Sequence, residues 1–126
     1  MSIREDYIVY RIQRAEESFD EALLLLNKKH WNTATNRLYY SCFYAVIALL
    51  LKNDINTNTH VGAINQFGLH FIKTGKIGGS FGSLYSKLFD YRQKGDYGDM
   101  FDFSEEIVLP LIKEVRFFID EVKKHI

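Results

Sequence analysis

Residues that interrupt helices are confined to a few short stretches of this 126-residue chain. Pro110 is its one proline, and six of its eight glycines gather within residues 75–82 and 95–98. Because glycine and proline are the strongest breakers of regular structure, the long segments between these stretches favour helices joined by short loops. We therefore predict an all-α chain.

The spacing of apolar residues divides the chain into five predicted helices. Apolar side chains recur every three or four positions, the spacing of one helix face, over residues 2–28, 34–52, 60–73, 81–94 and 107–122. The second segment is apolar on nearly every side, which is typical of a central helix. The sequence predicts a five-helix up-and-down bundle, with an Asp102-x-x-Glu105 capping box before the last helix and a kink near Pro110.

Size and composition are those of a globular protein with one domain, which we expect to span residues 1–126. Hydrophobic residues make up 47% of the chain and charged residues 25%. Cys42 is the only cysteine, which excludes an intrachain disulfide and fits a reducing compartment. The acidic N-terminus is unlike a signal peptide, and the longest nearly uncharged run, at 38–51, is too short to span a bilayer. We expect a cytoplasmic protein without a membrane anchor.

Charge is unevenly distributed, although the net charge is zero. Basic and acidic residues number 5 and 6 over residues 1–29, 7 and 2 over residues 30–95, and 4 and 8 over residues 96–126. A zero net charge argues against a strongly basic nucleic-acid binder. The middle segment is the part that can face an anion.

Within the second helix, Arg37, Tyr40, Ser41 and Tyr44 lie at offsets of three, four and seven. Such a stripe can bind a nucleotide or RNA, because tyrosines stack on bases and arginine pairs with phosphate. The alternative is structural: the tyrosines pack against neighbouring helices and Arg37 pairs with an acid.

A second patch lies at the end of the fourth helix. Arg92 continues the apolar face of that helix, so its charge is predicted to point toward the bundle. A buried charge requires partners. Either Arg92 pairs with Asp96 one turn away, or it holds a phosphate with the help of Gln93 and Lys94.

Taken together, these motifs resemble a HEPN domain over nearly the whole chain. The resemblance is carried by Asn-Arg-Leu-Tyr-Tyr-Ser-Cys-Phe-Tyr-Ala at 36–45, by His60, Phe67 and Phe-Ile-Lys-Thr-Gly-Lys at 71–76, and by Arg92 followed by Asp96-Tyr97. It implies a four- or five-helix bundle, often a homodimer, and a nucleotidyltransferase partner, sometimes as a toxin-antitoxin pair. Several HEPN domains are metal-independent ribonucleases with an arginine, a polar residue and a histidine four to six positions after the arginine.

In this sequence the resemblance assigns the arginine to Arg92 and the polar position to Gln93, but no histidine follows in the expected window. Tyr97 lies nearest to that place, so Arg92 and Tyr97 are the catalytic candidates. A tyrosine with an ordinary pKa near ~10 is a poor base, which argues against ribonuclease activity. In some toxin members a tyrosine receives a nucleotidyl group, and Tyr97 is the candidate here.

His60 belongs to the resemblance and starts the third helix, where it either caps and packs or replaces the missing histidine. No metal-site spacing or phosphate-binding glycine motif occurs, so we expect no metal and no cofactor. The favoured function is binding of a nucleotide, RNA or a nucleotidyltransferase through Arg37, Tyr40, Tyr44, His60, Arg92, Gln93, Asp96 and Tyr97. The alternatives are an atypical metal-independent ribonuclease and a structural scaffold.

Overall fold

A computed structural model describes residues 2–97 and 102–126, without the side chains of residues 95–97. The described residues contain no strand, and their helices are α1 (Ile3–Asn27), α2 (Trp31–Lys52), α3 (His60–Phe67), α4 (Gly79–Tyr97) and α5 (Glu105–Lys123). A π-helical turn, Gly68–Ile72, continues α3. The predicted all-α fold with five helices is confirmed.

The second helix lies at the centre of the bundle and packs against α1, α3, α4 and α5. Its apolar residues occupy several faces, and half of its 22 positions are buried. Buried side chains from every helix join it in one hydrophobic core that includes Phe19, Leu49, Phe67, Leu88 and Phe118. Removing such large apolar surfaces from water is the main force that holds the helices together.

The starts of two helices follow local capping chemistry. The Ser2 hydroxyl accepts a hydrogen bond from the Glu5 amide at 3.1 Å, and the Thr59 hydroxyl accepts one from the Gly62 amide at 2.8 Å. Each bond satisfies an amide that has no carbonyl partner within the first turn. The Thr59 cap places His60 at the first position of α3.

The predicted capping box at Asp102 is wrong, because Ser104 is the N-cap residue of α5 and makes no side-chain capping bond. The segment before α5 is instead held by α2. The Asn32 side-chain oxygen accepts the Phe103 amide at 2.8 Å, and the Asn32 amide nitrogen lies 3.4 Å from the Asp102 carboxylate. α2 begins at Trp31, three residues before the predicted start, and the Ala34 amide donates to the His30 carbonyl at 2.9 Å.

The π-helical turn after α3 was not predicted. The Lys73 amide donates to the Gly68 carbonyl at 2.8 Å, five residues back, so this turn holds one residue more than an α-helical turn. The turn buries Phe71, whose ring stacks on Phe67 at a centroid distance of 6.1 Å. The wide turn therefore keeps two aromatic rings in the core at the end of this helix.

Charged side chains join the outer helices α1 and α5. The Arg116 guanidinium donates to both Glu16 carboxylate oxygens at 2.8 Å and to Asp120 at 2.9 Å, and the Lys123 ammonium lies 3.2 Å from Glu16. Pro110 is the sixth residue of α5, which continues to Lys123, and the kink expected there stays a prediction. No helix in the described ranges is both long and apolar enough to cross a membrane.

Candidate functional site

Two arginines, Arg37 of α2 and Arg92 of α4, lie beside the ring of Tyr40, where α2 packs against α3 and α4. The Arg37 guanidinium carbon is 4.9 Å from the centre of the Tyr40 ring, and that of Arg92 is 5.8 Å away. Tyr40 is half-buried, so part of its ring faces solvent. Cations over an aromatic face are attracted by the ring electrons, which helps to hold both arginines close to the ring.

His60 joins the same cluster from the start of α3. Its ring lies 5.7 Å from Tyr40, edge to face, and 4.3 Å from Phe43. Its Nδ1 atom is 2.7 Å from the Tyr39 hydroxyl. Burial lowers the pKa of His60, and the positive charge of Arg92 lowers it further. Since an imidazole ordinarily titrates near pH ~6.5, the lowered pKa favours the neutral form of this histidine at pH 7.

Sequence reasoning did not link His60 to Arg92, and the structure does. Both side chains contact Tyr39 and Tyr40, at centroid distances of 5.7 Å for His60 to each ring, and 5.6 and 5.8 Å for Arg92. Arg92 also affects the charge state of His60 directly. The prediction that Arg92 points toward the bundle is confirmed by its contact with the buried Tyr39.

Tyr39 is the site residue that sequence reasoning missed. It is fully buried, and burial raises the pKa of its hydroxyl, so this phenol stays protonated. Its ring also stacks on Tyr85, another fully buried tyrosine, at 6.1 Å. The sequence feature that could have indicated it is the adjacent pair Tyr39-Tyr40. Neighbouring positions of a helix point in different directions, so one tyrosine of the pair faces inward when the other faces outward.

The structural alternative for Arg37 was that it pairs with an acid, and one carboxylate does lie near it. Its guanidinium donates to the Asn36 side-chain oxygen at 2.8 and 3.2 Å, and it lies 3.9 Å from a Glu21 carboxylate oxygen. An ion pair at that distance and partly exposed to water is weak. Arg37 therefore lies beside Tyr40 and forms only a weak ion pair with Glu21.

Ser41 does not belong to the surface stripe. Its side chain is fully buried, and its hydroxyl donates to the Ala15 carbonyl of α1 at 2.7 Å. Tyr44 does continue the surface, since its half-buried ring lies 5.8 Å from Tyr40. It also contacts two arginines of α1, with Arg11 at 5.8 Å and Arg14 at 5.4 Å from the ring centre.

The remaining predicted positions lie on α4 beyond Arg92. Gln93 is exposed at the next position of the helix. The side chains of Asp96 and Tyr97 lie outside the described residues, and so does the predicted Arg92–Asp96 pair. The cluster that the structure does bring together is Arg37, Tyr39, Tyr40, His60 and Arg92, which we call the Tyr40 site.

The other histidines lie elsewhere. The His70 ring is 3.0 Å from the Gln66 side-chain oxygen, and His125 is 3.4 Å from Glu121. His30 is exposed at the start of α2. Over residues 2–97 and 102–126, no group of three or more histidine, cysteine, aspartate or glutamate side chains could hold a metal ion.

The all-α bundle of five helices is the fold expected from the resemblance described above. The family model for the HEPN domain matches residues 8–125, and the chain belongs to that family.

Relatives share this sequence over almost its whole length. A UPF0332 protein of Thermotoga maritima is 39% identical over 124 residues, which cover 98% of this chain and 94% of that protein. Two Methanocaldococcus jannaschii proteins carry the names "Putative toxin MJ0605" and "Putative toxin MJ0142". The first is 36% identical over 122 residues, covering 97% of this chain and 90% of the relative. The second is 32% identical over 115 residues, covering 91% and 78%.

Proposed function

We propose that this HEPN domain binds a nucleotide or single-stranded RNA at the Tyr40 site. The observation that carries the proposal is the placement of two guanidinium groups, Arg37 and Arg92, beside one partly exposed tyrosine ring. A nucleotide has the matching chemistry, a flat base joined to a phosphate. The Tyr40 ring stacks on the base, and the arginines bind phosphate oxygens with pairs of N–H donors.

Each contact between the site and the ligand contributes to the free energy of binding by an amount that can be measured. Stacking of a base on an aromatic side chain contributes about 1–3 kcal/mol, and each phosphate contact adds a salt-dependent term. Because its pKa is lowered, His60 adds a hydrogen-bonding group without the repulsion that a second, partly buried cation beside Arg92 would cause. These contributions suit a ligand bound by its shape and phosphate, without strict base specificity.

A second candidate function, metal-independent RNA cleavage, is favoured by the position of His60. His60, at the start of α3, contacts the same two tyrosines as Arg92, which makes it the candidate to replace the histidine missing after Arg92. A neutral imidazole can accept a proton from a ribose 2′-hydroxyl, while Arg92 stabilises the charge that develops on the phosphate. Tyr97 remains the other catalytic candidate from the sequence.

The names of the two archaeal relatives support a role in a toxin-antitoxin pair. We propose that the domain acts in the cytoplasm as a homodimer with a nucleotidyltransferase as its cognate partner, and that binding of RNA or nucleotide is the activity this partner controls. Co-expression of the chain with a candidate minimal nucleotidyltransferase from the same genome, followed by affinity purification, tests the partnership. Recovery of the chain alone would refute it.

The binding proposal is tested with fluorescein-labelled octauridylate in EDTA, measured by fluorescence anisotropy. We expect Arg92→Gln to weaken binding about tenfold or more, because one charge-assisted phosphate contact is lost. Lys113→Gln is the matched control, since it also removes one positive charge but lies exposed on α5. Equal affinities for the two variants, or no binding by the wild type, would refute the proposal.

The cleavage alternative is tested separately, by incubating mixed single-stranded RNA in EDTA with wild type, Arg92→Ala and His60→Gln. Cleavage by the wild type and its loss in both variants would assign the acid-base role to His60. Cleavage that survives in His60→Gln but not in Arg92→Ala would assign that role to another residue. No cleavage by the folded wild type would leave binding as the function.

A further inference from the structure

A second group of arginines and tyrosines adjoins the Tyr40 site on the side of α1. Arg11 and Arg14 both lie against the Tyr44 ring, at 5.8 and 5.4 Å, and Arg11 is also 5.6 Å from the exposed ring of Tyr10. Tyr44 in turn lies 5.8 Å from Tyr40. The aromatic rings and guanidinium groups therefore continue from α2 onto α1 without a break.

The two arginines differ in how strongly carboxylates hold them. Arg14 forms an ion pair with Glu17 at 2.7 Å, in which the Glu17 side chain is 58% exposed. Arg11 makes no ion pair with any carboxylate in residues 2–97 and 102–126, and its buried Nε atom has no hydrogen-bond partner among them. Arg11 is partly exposed, so its positive charge, which no carboxylate of these residues neutralises, can pair with a phosphate that approaches from solvent.

The length of the combined surface exceeds one nucleotide. Arg37 and Tyr44 lie seven positions apart on α2 with Tyr40 between them, a distance of about 10 Å along the axis at about 1.5 Å per residue. A stacked strand rises about 3.4 Å per nucleotide. A mononucleotide that stacks on Tyr40 and places its phosphate at Arg37 and Arg92 has no second base or phosphate for Tyr44 and the α1 arginines, whereas a strand of several nucleotides has both.

We infer that Tyr44, Tyr10, Arg11 and Arg14 form a second subsite, the α1 subsite, that binds the nucleotides flanking the one at Tyr40 in single-stranded RNA. The inference rests on the proposed function and extends it to ligand length. Single-stranded RNA fits better than a duplex, because splayed bases can stack on Tyr44 and Tyr10 whereas paired bases cannot. The subsite contacts the phosphate backbone and the faces of the bases, so it does not discriminate between RNA sequences.

The test compares uridine monophosphate with a 2′-O-methyl octauridylate, which cannot be cleaved through its 2′-hydroxyl. We expect Arg11→Gln/Arg14→Gln to weaken octamer binding about tenfold and to leave monophosphate binding unchanged. The slope of log affinity against log salt should fall in magnitude by about 1.4, at about 0.7 for each phosphate contact on a single strand. Lys113→Gln/Lys124→Gln, two exposed positions on or after α5, controls for the loss of two charges.

A further variant keeps the test decisive if the arginine double variant folds poorly. Glu17→Gln removes the carboxylate that competes for Arg14, and we expect tighter octamer binding with unchanged monophosphate binding. Unchanged octamer affinity in Glu17→Gln and in the folded arginine variant, with Arg92→Gln still impaired, would overturn the α1 subsite and leave the Tyr40 site standing. If the arginine double variant keeps its octamer affinity but no longer forms a dimer, the surface of Tyr10, Arg11, Arg14 and Tyr44 binds a second copy of the chain and not RNA. If the wild type binds neither ligand, both proposals fall.

Discussion

Replacing Glu16 by glutamine removes the carboxylate that joins α1, the helix of Arg11 and Arg14, to α5. Glu16 accepts two hydrogen bonds from Arg116 at 2.8 Å and lies 3.2 Å from Lys123. The bonds from Arg116 are the main cause that lowers the Glu16 pKa from 4.5 to about 2. Glutamine is nearly isosteric, so the substitution removes the charge with little change of packing.

The expected loss of stability follows from that pKa. A change from 4.5 to about 2 corresponds to roughly 3.4 kcal/mol, at about 1.36 kcal/mol for each pH unit. Because the Glu16 side chain is 34% exposed, water screens the pair, and we expect about 1–2 kcal/mol. With an unfolding entropy of about 2.1 cal/mol/K per residue, each kcal/mol lowers the melting temperature by about 4 °C. Glu16→Gln should therefore melt about 4–8 °C below the wild type at pH 7.

The lowered pKa of Glu16 determines the pH range over which the carboxylate contributes to the free energy of unfolding. Since the folded pKa lies below the unfolded one, the contribution is fully present above pH 4.5 and is lost as pH falls toward 2. Thermal melts followed by circular dichroism should show a difference between variant and wild type that shrinks over this range. Glu114→Gln is the control, because Glu114 lies 3.9 Å from Lys87 in an exposed pair. An equal difference at pH 7 and pH 2, or a difference under 1 °C at pH 7, would refute the reasoning.

Three further outcomes test the interior and the Tyr40 site. In an NMR titration, the His60 pKa should lie below 6.5 and rise in Arg92→Gln, since the neighbouring cation is removed; an unchanged pKa would contradict this. Ser41→Ala should cost about 1–2 kcal/mol in urea denaturation, because the buried Ala15 carbonyl loses its partner, and equal midpoints would contradict it. Cys42 is fully buried and burial raises its pKa, so a thiol reagent should label it only after unfolding; rapid labelling of native protein would count against the fold.

The helices were predictable because their signals are local. The apolar period predicted α1 over residues 2–28, against Ile3–Asn27 in the structure, since the run ends at polar residues on both sides. Errors occurred where a distant partner decides the outcome. The predicted capping box at Asp102 failed because the segment before α5 is held by the Asn32 side chain, which accepts the Phe103 amide 71 positions away. No local pattern contains that contact.

Part of the Tyr40 site was predictable from local spacing in the same way as the helices. Arg37 and Tyr40 share a helix face three residues apart, and this spacing alone predicts that they meet. The meeting of His60 and Arg92, 32 positions apart, depends on how α3 and α4 dock on α2 through the buried Tyr39. Periodicity identifies which residues are apolar, and it does not specify which helices become neighbours.

The wide turn at Gly68–Ile72 has a consequence for the tolerated length of the chain. Deleting one residue from α2 would rotate every later side chain by about 100° and move its core positions into solvent. Deleting one residue from the wide turn would instead convert it to an ordinary α-helical turn, keeping His60–Phe67 in place and shortening only the path toward α4. Insertions and deletions among homologues should therefore be more frequent in this turn than in α2, and the turn is a suitable place for engineered changes of chain length.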